Sequence, residues 1–96
     1  SSPISLEQLA ERFAVSRRTF IRRFKTATGT TPAAYIQNMR LEAAKRLLES
    51  SHLTVDAIVE KVGYSDSSSF RRLFDREVGL SPRAYRERFA LPQSVD

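Results

Sequence analysis

Several residue types that carry chemistry in other proteins are absent or rare in this chain. There is no cysteine, so disulfides and thiolate metal sites are excluded. His52 is the only histidine and lies in the polar stretch ESSHLT. A serine nucleophile needs a positioned imidazole and an orienting carboxylate, and no such set is indicated here. We therefore expect no catalytic residue, no metal and no cofactor.

Long apolar runs are lacking as well. No stretch approaches the roughly 20 residues that a membrane span requires, and no charged and apolar leader opens the chain. The 96 residues fit one domain, and 41% hydrophobic with 28% charged residues is typical of globular proteins. We expect a cytoplasmic protein that does not bind a membrane.

The most informative feature present is an internal repeat of about fifty residues. One residue has been inserted between Ser65 and Phe70, because the spacing grows by one from the upstream to the downstream matches. Each copy alone is near the size at which an isolated core becomes marginal, so the copies are expected to share a core. Two similar units also imply two similar surfaces. The matching pairs are Leu9/Ile58, Glu11/Glu60, Ser16/Ser65, Phe20/Phe70, Phe24/Phe74, Gly29/Gly79, Pro32/Pro82, Ala34/Ala84 and Tyr35/Tyr85.

Apolar spacing and capping residues predict an all-α fold with two helix-turn-helix subdomains joined by a long central helix. Ser5 is expected to cap a short helix, a turn to follow near Ala14, and Gly29 to end the second helix. Asp66 or Ser65 is expected to cap the corresponding helix of copy two. The predicted segments are a first helix-turn-helix at about 5–28, a linker helix at about 32–49, a second helix-turn-helix at about 54–78 and a final helix at about 82–89.

The linker helix has two neighbouring apolar sectors. One contains Tyr35, Met39 and Leu47, and the other contains Leu41 and Leu48. A helix with so wide an apolar arc is expected to pack against both copies, rather than serve as a flexible tether.

Basic side chains are concentrated in the first copy. From Ser1 to Glu49 there are nine Lys or Arg against four Glu, whereas from Ser50 to Asp96 seven basic residues balance seven acidic ones. If Phe20 and Phe24 point inward, the opposite face of that helix is cationic. An arginine can donate two hydrogen bonds to guanine, and cations displace counterions from phosphates. The residues of this face are Arg18, Arg22 and Lys25, with Arg17 and Ile21 toward its edge.

The corresponding face of the second copy is more polar. Serines contact either base edges or phosphates, and Arg71 and Arg72 are the best candidates for base contact. Asp75 is expected to pair with a neighbouring arginine, the alternative being that it accepts from cytosine N4. The residues of this face are Ser68, Ser69, Arg71, Arg72, Asp75 and Arg76.

The stretches GTTPAAYIQNMRLEAAKRLLES and GYSDSSSFRRLFDREVGLSPRAYRERF resemble the DNA-binding domain of AraC/XylS-type bacterial transcription regulators, over nearly the whole chain. The resemblance implies sequence-specific binding of double-stranded DNA by two recognition helices in successive major grooves. It places base contacts on Arg18, Ile21, Arg22, Ser68, Ser69, Arg71 and Arg72, and we assign backbone contacts to Arg17, Lys25 and Arg76.

The stretch SRRTFIRRFKTATGTTPAAYIQ is similar to the GlxA-type subgroup, whose members carry an amidotransferase-like domain upstream. We accordingly expect an effector-binding domain outside this chain, and RNA polymerase is a candidate partner. The length of the linker helix is compatible with two recognition helices in adjacent major grooves. A helix of about 18 residues spans roughly 27 Å, and successive grooves lie about 34 Å apart. The widths of the recognition helices add to the length of the linker.

The main alternative is a helical protein-interaction module, because paired helices also bind partner helices through apolar grooves. Such a module would expose apolar residues where this chain has Arg18, Arg22, Arg71 and Arg72. RNA binding is disfavoured because the aromatic residues lie at core spacing rather than on an exposed stacking surface.

Overall fold

The computed structural model describes residues 5–92, and within that range the protein is all-α, as predicted. The chain divides within its second helix into two units, one extending to Ile36 and the other beginning at Gln37. The helices are α1 (Leu6–Thr28), α2 (Pro32–Ser50), α3 (Val55–Lys61), α4 (Ser67–Val78) and α5 (Pro82–Phe89).

In the first unit, α1 is one continuous helix, so the predicted turn near Ala14 is wrong for this structure. Ser5 caps α1 as expected, in a capping box with Gln8. Between the cap and Gly29 the chain contains no glycine or proline, and Ala14 is a strong helix former. The turn of copy two forms at Gly63, which has a φ of 94°, a conformation that disfavours alanine. The helix is therefore interrupted at Gly63 in copy two but continues through Ala14 in copy one.

Downstream of this point the two copies are built alike. Phe24 packs edge-on against Tyr35 with ring centroids 5.6 Å apart, and Phe74 packs on Tyr85 in the same way at 5.7 Å. The glycines that follow α1 and α4 are both left-handed, with φ values of 82° and 87°. The repeat thus predicts the ring contact and the helix-ending glycine of copy one, but not the burial of Phe20, which is 58% exposed while Phe70 is enclosed.

The second unit contains the buried core of the described residues. Helices α2 to α5 all contribute, and Phe70 and Phe74 are the largest side chains that are fully enclosed. The sector of α2 with Leu41 and Leu48 is enclosed, whereas in the other sector Leu47 packs at the edge of the core and Tyr35 and Met39 remain about half exposed. The core residues are Leu41, Ala44, Leu48, Ile58, Val59, Phe70, Leu73, Phe74 and Tyr85.

Helices α3 and α4 form the predicted second hairpin. Thr54 caps α3 by accepting from the Ala57 N–H at 3.1 Å. After Gly63 the chain turns, and Asp66 rather than Ser65 caps α4. Both caps satisfy backbone donors that would otherwise lack a partner in the first turn of each helix.

Hydrogen bonds connect α5 to the end of α2. The Tyr85 hydroxyl donates to the Glu49 carboxylate, and Arg86 donates to the carbonyls of Leu48 and Ser51, each at 3.1 Å. Carbonyls at a helix C-terminus lack partners within the helix, so Arg86 satisfies two groups near the end of α2. Burial and the bond to Glu49 raise the pKa of Tyr85 to about 12. These contacts hold α5 against the end of α2, and Tyr85 packs on Phe74 in the core.

Candidate nucleic-acid interface

Helix α4 has one buried and one exposed face. Phe70, Leu73 and Phe74 are enclosed in the core. The polar residues on the other side remain open to solvent, because side chains at neighbouring positions of an amphipathic helix point about 100° apart. The candidate contact residues there are Ser68, Arg71, Arg72 and Arg76, all exposed, and Ser69, which is half-buried.

Asp66 organises the beginning of this exposed face. Its carboxylate accepts from the backbone N–H groups of Ser68 and Ser69 at 3.0 and 3.4 Å, and from the Ser69 hydroxyl at 2.8 Å. These hydrogen bonds, that from the Ser69 hydroxyl foremost, hold the pKa of Asp66 below its usual value. Arg72 donates in turn to the Ser69 hydroxyl at 3.3 Å. The Arg72 side chain is therefore linked to the helix cap through a serine.

A second aspartate holds the neighbouring arginine. Asp56, in the first turn of α3, accepts from the Ser67 hydroxyl at 2.6 Å and from Nη2 of Arg71 at 3.0 Å. Nε of Arg71 donates to the Ser67 hydroxyl at 3.2 Å. The Ser67 hydrogen bond and then Arg71 hold the pKa of Asp56 below its usual value. Spacing along the sequence does not predict this triad of Asp56, Ser67 and Arg71, because Asp56 lies on a different helix from the other two residues.

The prediction that Asp75 pairs with a neighbouring arginine is wrong. Arg71 pairs with Asp56, and Arg76 pairs with Glu77 at 3.4 Å. Among residues 5–92 the structure records no ion pair for Asp75. An arginine four residues before an aspartate is the less favourable order on a helix, which disfavours a pair between Arg71 and Asp75.

Helix α1 carries the other candidate residues. Arg17, Arg18, Arg22 and Lys25 are exposed, whereas Ile21 is half-buried. Arg18 and Arg22 are one turn apart and lie on the same face of the helix. Phe20, predicted to point inward, is 58% exposed, and Phe24 is half-buried. The predicted cationic face of α1 is thus exposed, but the opposite, apolar face of α1 is less enclosed than the apolar face of α4.

Within residues 5–92 there is no group of acidic or histidine side chains placed to hold a metal ion. The helices of the same range include none with the length and hydropathy of a membrane span.

Comparison with known proteins identifies the family. A family model described as a helix-turn-helix domain matches residues 9–88, which include both copies of the repeat. The HTH-type transcriptional regulator Rv1931c of Mycobacterium tuberculosis is 45% identical over 83 residues, covering 86% of this chain and 32% of that protein. The HTH-type transcriptional activator RhaS of Escherichia fergusonii is 44% identical over 84 residues, covering 88% of this chain and 30% of that protein. The chain spans about a third of the length of these relatives.

Solved structures agree with this family. The DNA-binding domain of AdpA, a global transcriptional factor crystallised with a target DNA, is 39% identical with a TM-score of 0.74, covering 92% of this chain and 79% of that one. The C-terminal domain of AraT, a response regulator from Geobacillus stearothermophilus, is 31% identical with a TM-score of 0.79, covering 97% and 77%. These coverages include both copies and are consistent with two helix-turn-helix subdomains, although α1 is one continuous helix in this structure.

The match identifies a helix-turn-helix domain of the kind that transcription regulators use to bind DNA, and the relatives are regulators rather than enzymes. The chain belongs to the AraC-type helix-turn-helix family.

Proposed function

We propose that this domain reads double-stranded DNA with two unlike helices, α4 and the C-terminal half of α1, placed in successive major grooves. The observation that carries the proposal is the exposed polar face of α4, whose arginines are ordered by Asp56 and Asp66 while its apolar face is enclosed. A major groove admits one α-helix, and arginine is the commonest side chain to read guanine there.

On this proposal the base contacts divide between the two helices. Arg18, Ile21 and Arg22 act from α1, and Ser68, Ser69, Arg71 and Arg72 act from α4. Arg17, Lys25 and Arg76 contact phosphates. Since the two faces differ in charge, the two half-sites differ in sequence, and α1 contributes more of the salt-dependent affinity.

The wider setting of the domain is also a proposal. The resemblance of residues 16–37 to the GlxA-type subgroup supports an upstream amidotransferase-like domain that binds an effector, and the short span of this chain relative to its relatives agrees with additional domains. RNA polymerase is a candidate partner of the whole regulator. A regulator of bacterial genes acts in the cytoplasm, where the DNA is.

The experiment is an arginine scan against a duplex selected from random DNA. Replacing Arg72 by alanine should weaken binding to the selected duplex by about 1 to 3 kcal/mol and relax the preference at one base position. Arg83, an arginine of α5 that is 85% exposed and outside the proposed interface, is the matched control. Its replacement by alanine should leave sequence preference unchanged.

Two results would oppose the proposal. Equal losses from Arg72→Ala and Arg83→Ala would mean that only total charge matters. A domain that enriches no sequence at all would favour the protein-interaction module instead.

A further inference from the structure

We propose that Asp56 is a positioning residue for DNA readout, which orients Arg71 of α4 so that the free end of its guanidinium faces a base. This inference rests on the proposed function of α4. Asp56 lies on α3, outside the helix that would enter the groove, and its role is therefore exerted through Arg71.

Only one edge of the Arg71 guanidinium is occupied within the described residues. Nε of Arg71 donates to Ser67 and Nη2 donates to Asp56, so the side edge of the group is held. Among the described residues no partner is recorded for Nη1. The end edge, formed by Nη1 and the second hydrogen of Nη2, keeps the paired donors that match O6 and N7 of guanine.

The triad is poorly suited to a purely structural role. The side chains of Arg71 and Asp56 are 44% and 73% exposed, and exposed ion pairs add little to folding stability. An ion pair can nevertheless favour DNA binding, because an arginine side chain that is already held in place loses less rotational freedom when it binds. Asp56, Ser67 and Arg71 thus form a device that orders a contact residue.

Asp66 and Arg72 give a partial parallel on the same helix. There the carboxylate reaches the arginine only through Ser69, and Asp66 also caps α4. Replacing Asp66 would disturb the helix itself, whereas Asp56 can be replaced with the cap of α4 intact. Asp56 is therefore the residue with which positioning can be tested separately from folding.

The test compares Asp56→Asn with Glu60→Gln. Glu60 is an exposed acid one turn further along α3, and within residues 5–92 its side chain has no recorded ion pair. Both variants remove one negative charge near the DNA and should strengthen binding to any duplex to a similar small extent. Dissociation constants are measured by fluorescence anisotropy for the selected duplex and for a scrambled duplex of equal length, at one salt concentration. Their ratio is the specificity.

We expect Asp56→Asn to lower the specificity ratio about three- to tenfold, at the low end of what one bidentate base contact supplies. Glu60→Gln should leave the ratio unchanged, and Asp56→Glu should recover part of it. In an Arg71→Ala background, Asp56→Asn should have no further effect, because the residue acts through Arg71. Thermal melting of each variant should match the parent.

An Asp56→Asn variant that discriminates as well as the parent overturns the inference, and so does an undiminished effect in the Arg71→Ala background. In both cases the proposed function stands, because the parent still prefers its selected duplex. A parent with no preference between the two duplexes overturns the proposed function, and the inference with it.

Discussion

Replacing Phe20 and Phe70 by alanine compares the two copies at one equivalent position. Phe70 is 1% exposed in the core of the second unit, and Phe20 is 58% exposed on α1. Removing an enclosed phenylalanine costs about 3 to 5 kcal/mol of unfolding free energy, because transfer and cavity terms add. Full burial of such a side chain is worth about 1.5 to 3 kcal/mol. With less than half of Phe20 removed from water, its loss should cost only about 1 kcal/mol.

Urea unfolding followed by far-ultraviolet circular dichroism gives both free energies. Since single domains are stable by only about 5 to 15 kcal/mol, Phe70→Ala risks unfolding the protein. In that case Ile58→Val, which removes one methylene group from the same core at an expected cost of about 0.5 to 1.5 kcal/mol, tests the packing of the core without unfolding the protein. A Phe20→Ala variant as unstable as Phe70→Ala would place Phe20 in a packed core. That result would refute the assignment of α1 as a continuous helix with an open apolar face.

Four further predictions concern the turn at Gly63, the continuity of α1, the Tyr85 hydroxyl and Arg22. Gly63→Ala should cost about 1 to 2 kcal/mol in a urea titration, because φ is 94° there while the added Cβ meets Arg40 only at an ordinary 3.5 Å. Ala14→Gly, within α1, should cost about 0.5 to 1 kcal/mol, and a stabilising effect would instead indicate a turn. The raised pKa of Tyr85 means that its neutral form is favoured in the folded state, so stability should fall as pH rises from about 10 toward about 12. Tyr85→Phe should lose the bond to Glu49, at about 1.5 to 3 kcal/mol, and remove this alkaline decline, as thermal melts against pH would reveal. Arg22→Ala should weaken binding to the selected duplex by about 1 to 3 kcal/mol in anisotropy titrations, and unchanged binding would remove Arg22 from the interface.

The second hairpin was predictable because its local signals agree with one another. Thr54, Gly63, Asp66 and Gly79 each favour the conformation that the packing also requires. The missing turn of copy one illustrates the limit of inference from a repeat. A turn was predicted near Ala14 because both it and its counterpart Gly63 are small residues that allow a close turn, although alanine itself favours a helix.

The arginine contacts of α4 show a second limit. Spacing along a helix suggests partners three or four residues away, which led to Asp75. The actual partner of Arg71 is Asp56, 15 residues earlier and across the turn. Its proximity is created by the crossing of α3 and α4, which the pattern of charges along the sequence does not specify. The exposed arginines themselves were predictable from the amphipathic pattern of α4.

The most direct test of the central claim, that two unlike helices read one face of DNA, is selection from random duplexes followed by a change of spacing. The account predicts a bipartite site with two different half-sites about ten base pairs apart. Inserting about five base pairs between them should abolish specific binding, because half a turn moves one half-site to the opposite face of the duplex. Undiminished binding to the lengthened site, or recovery of one short half-site alone, would contradict the account.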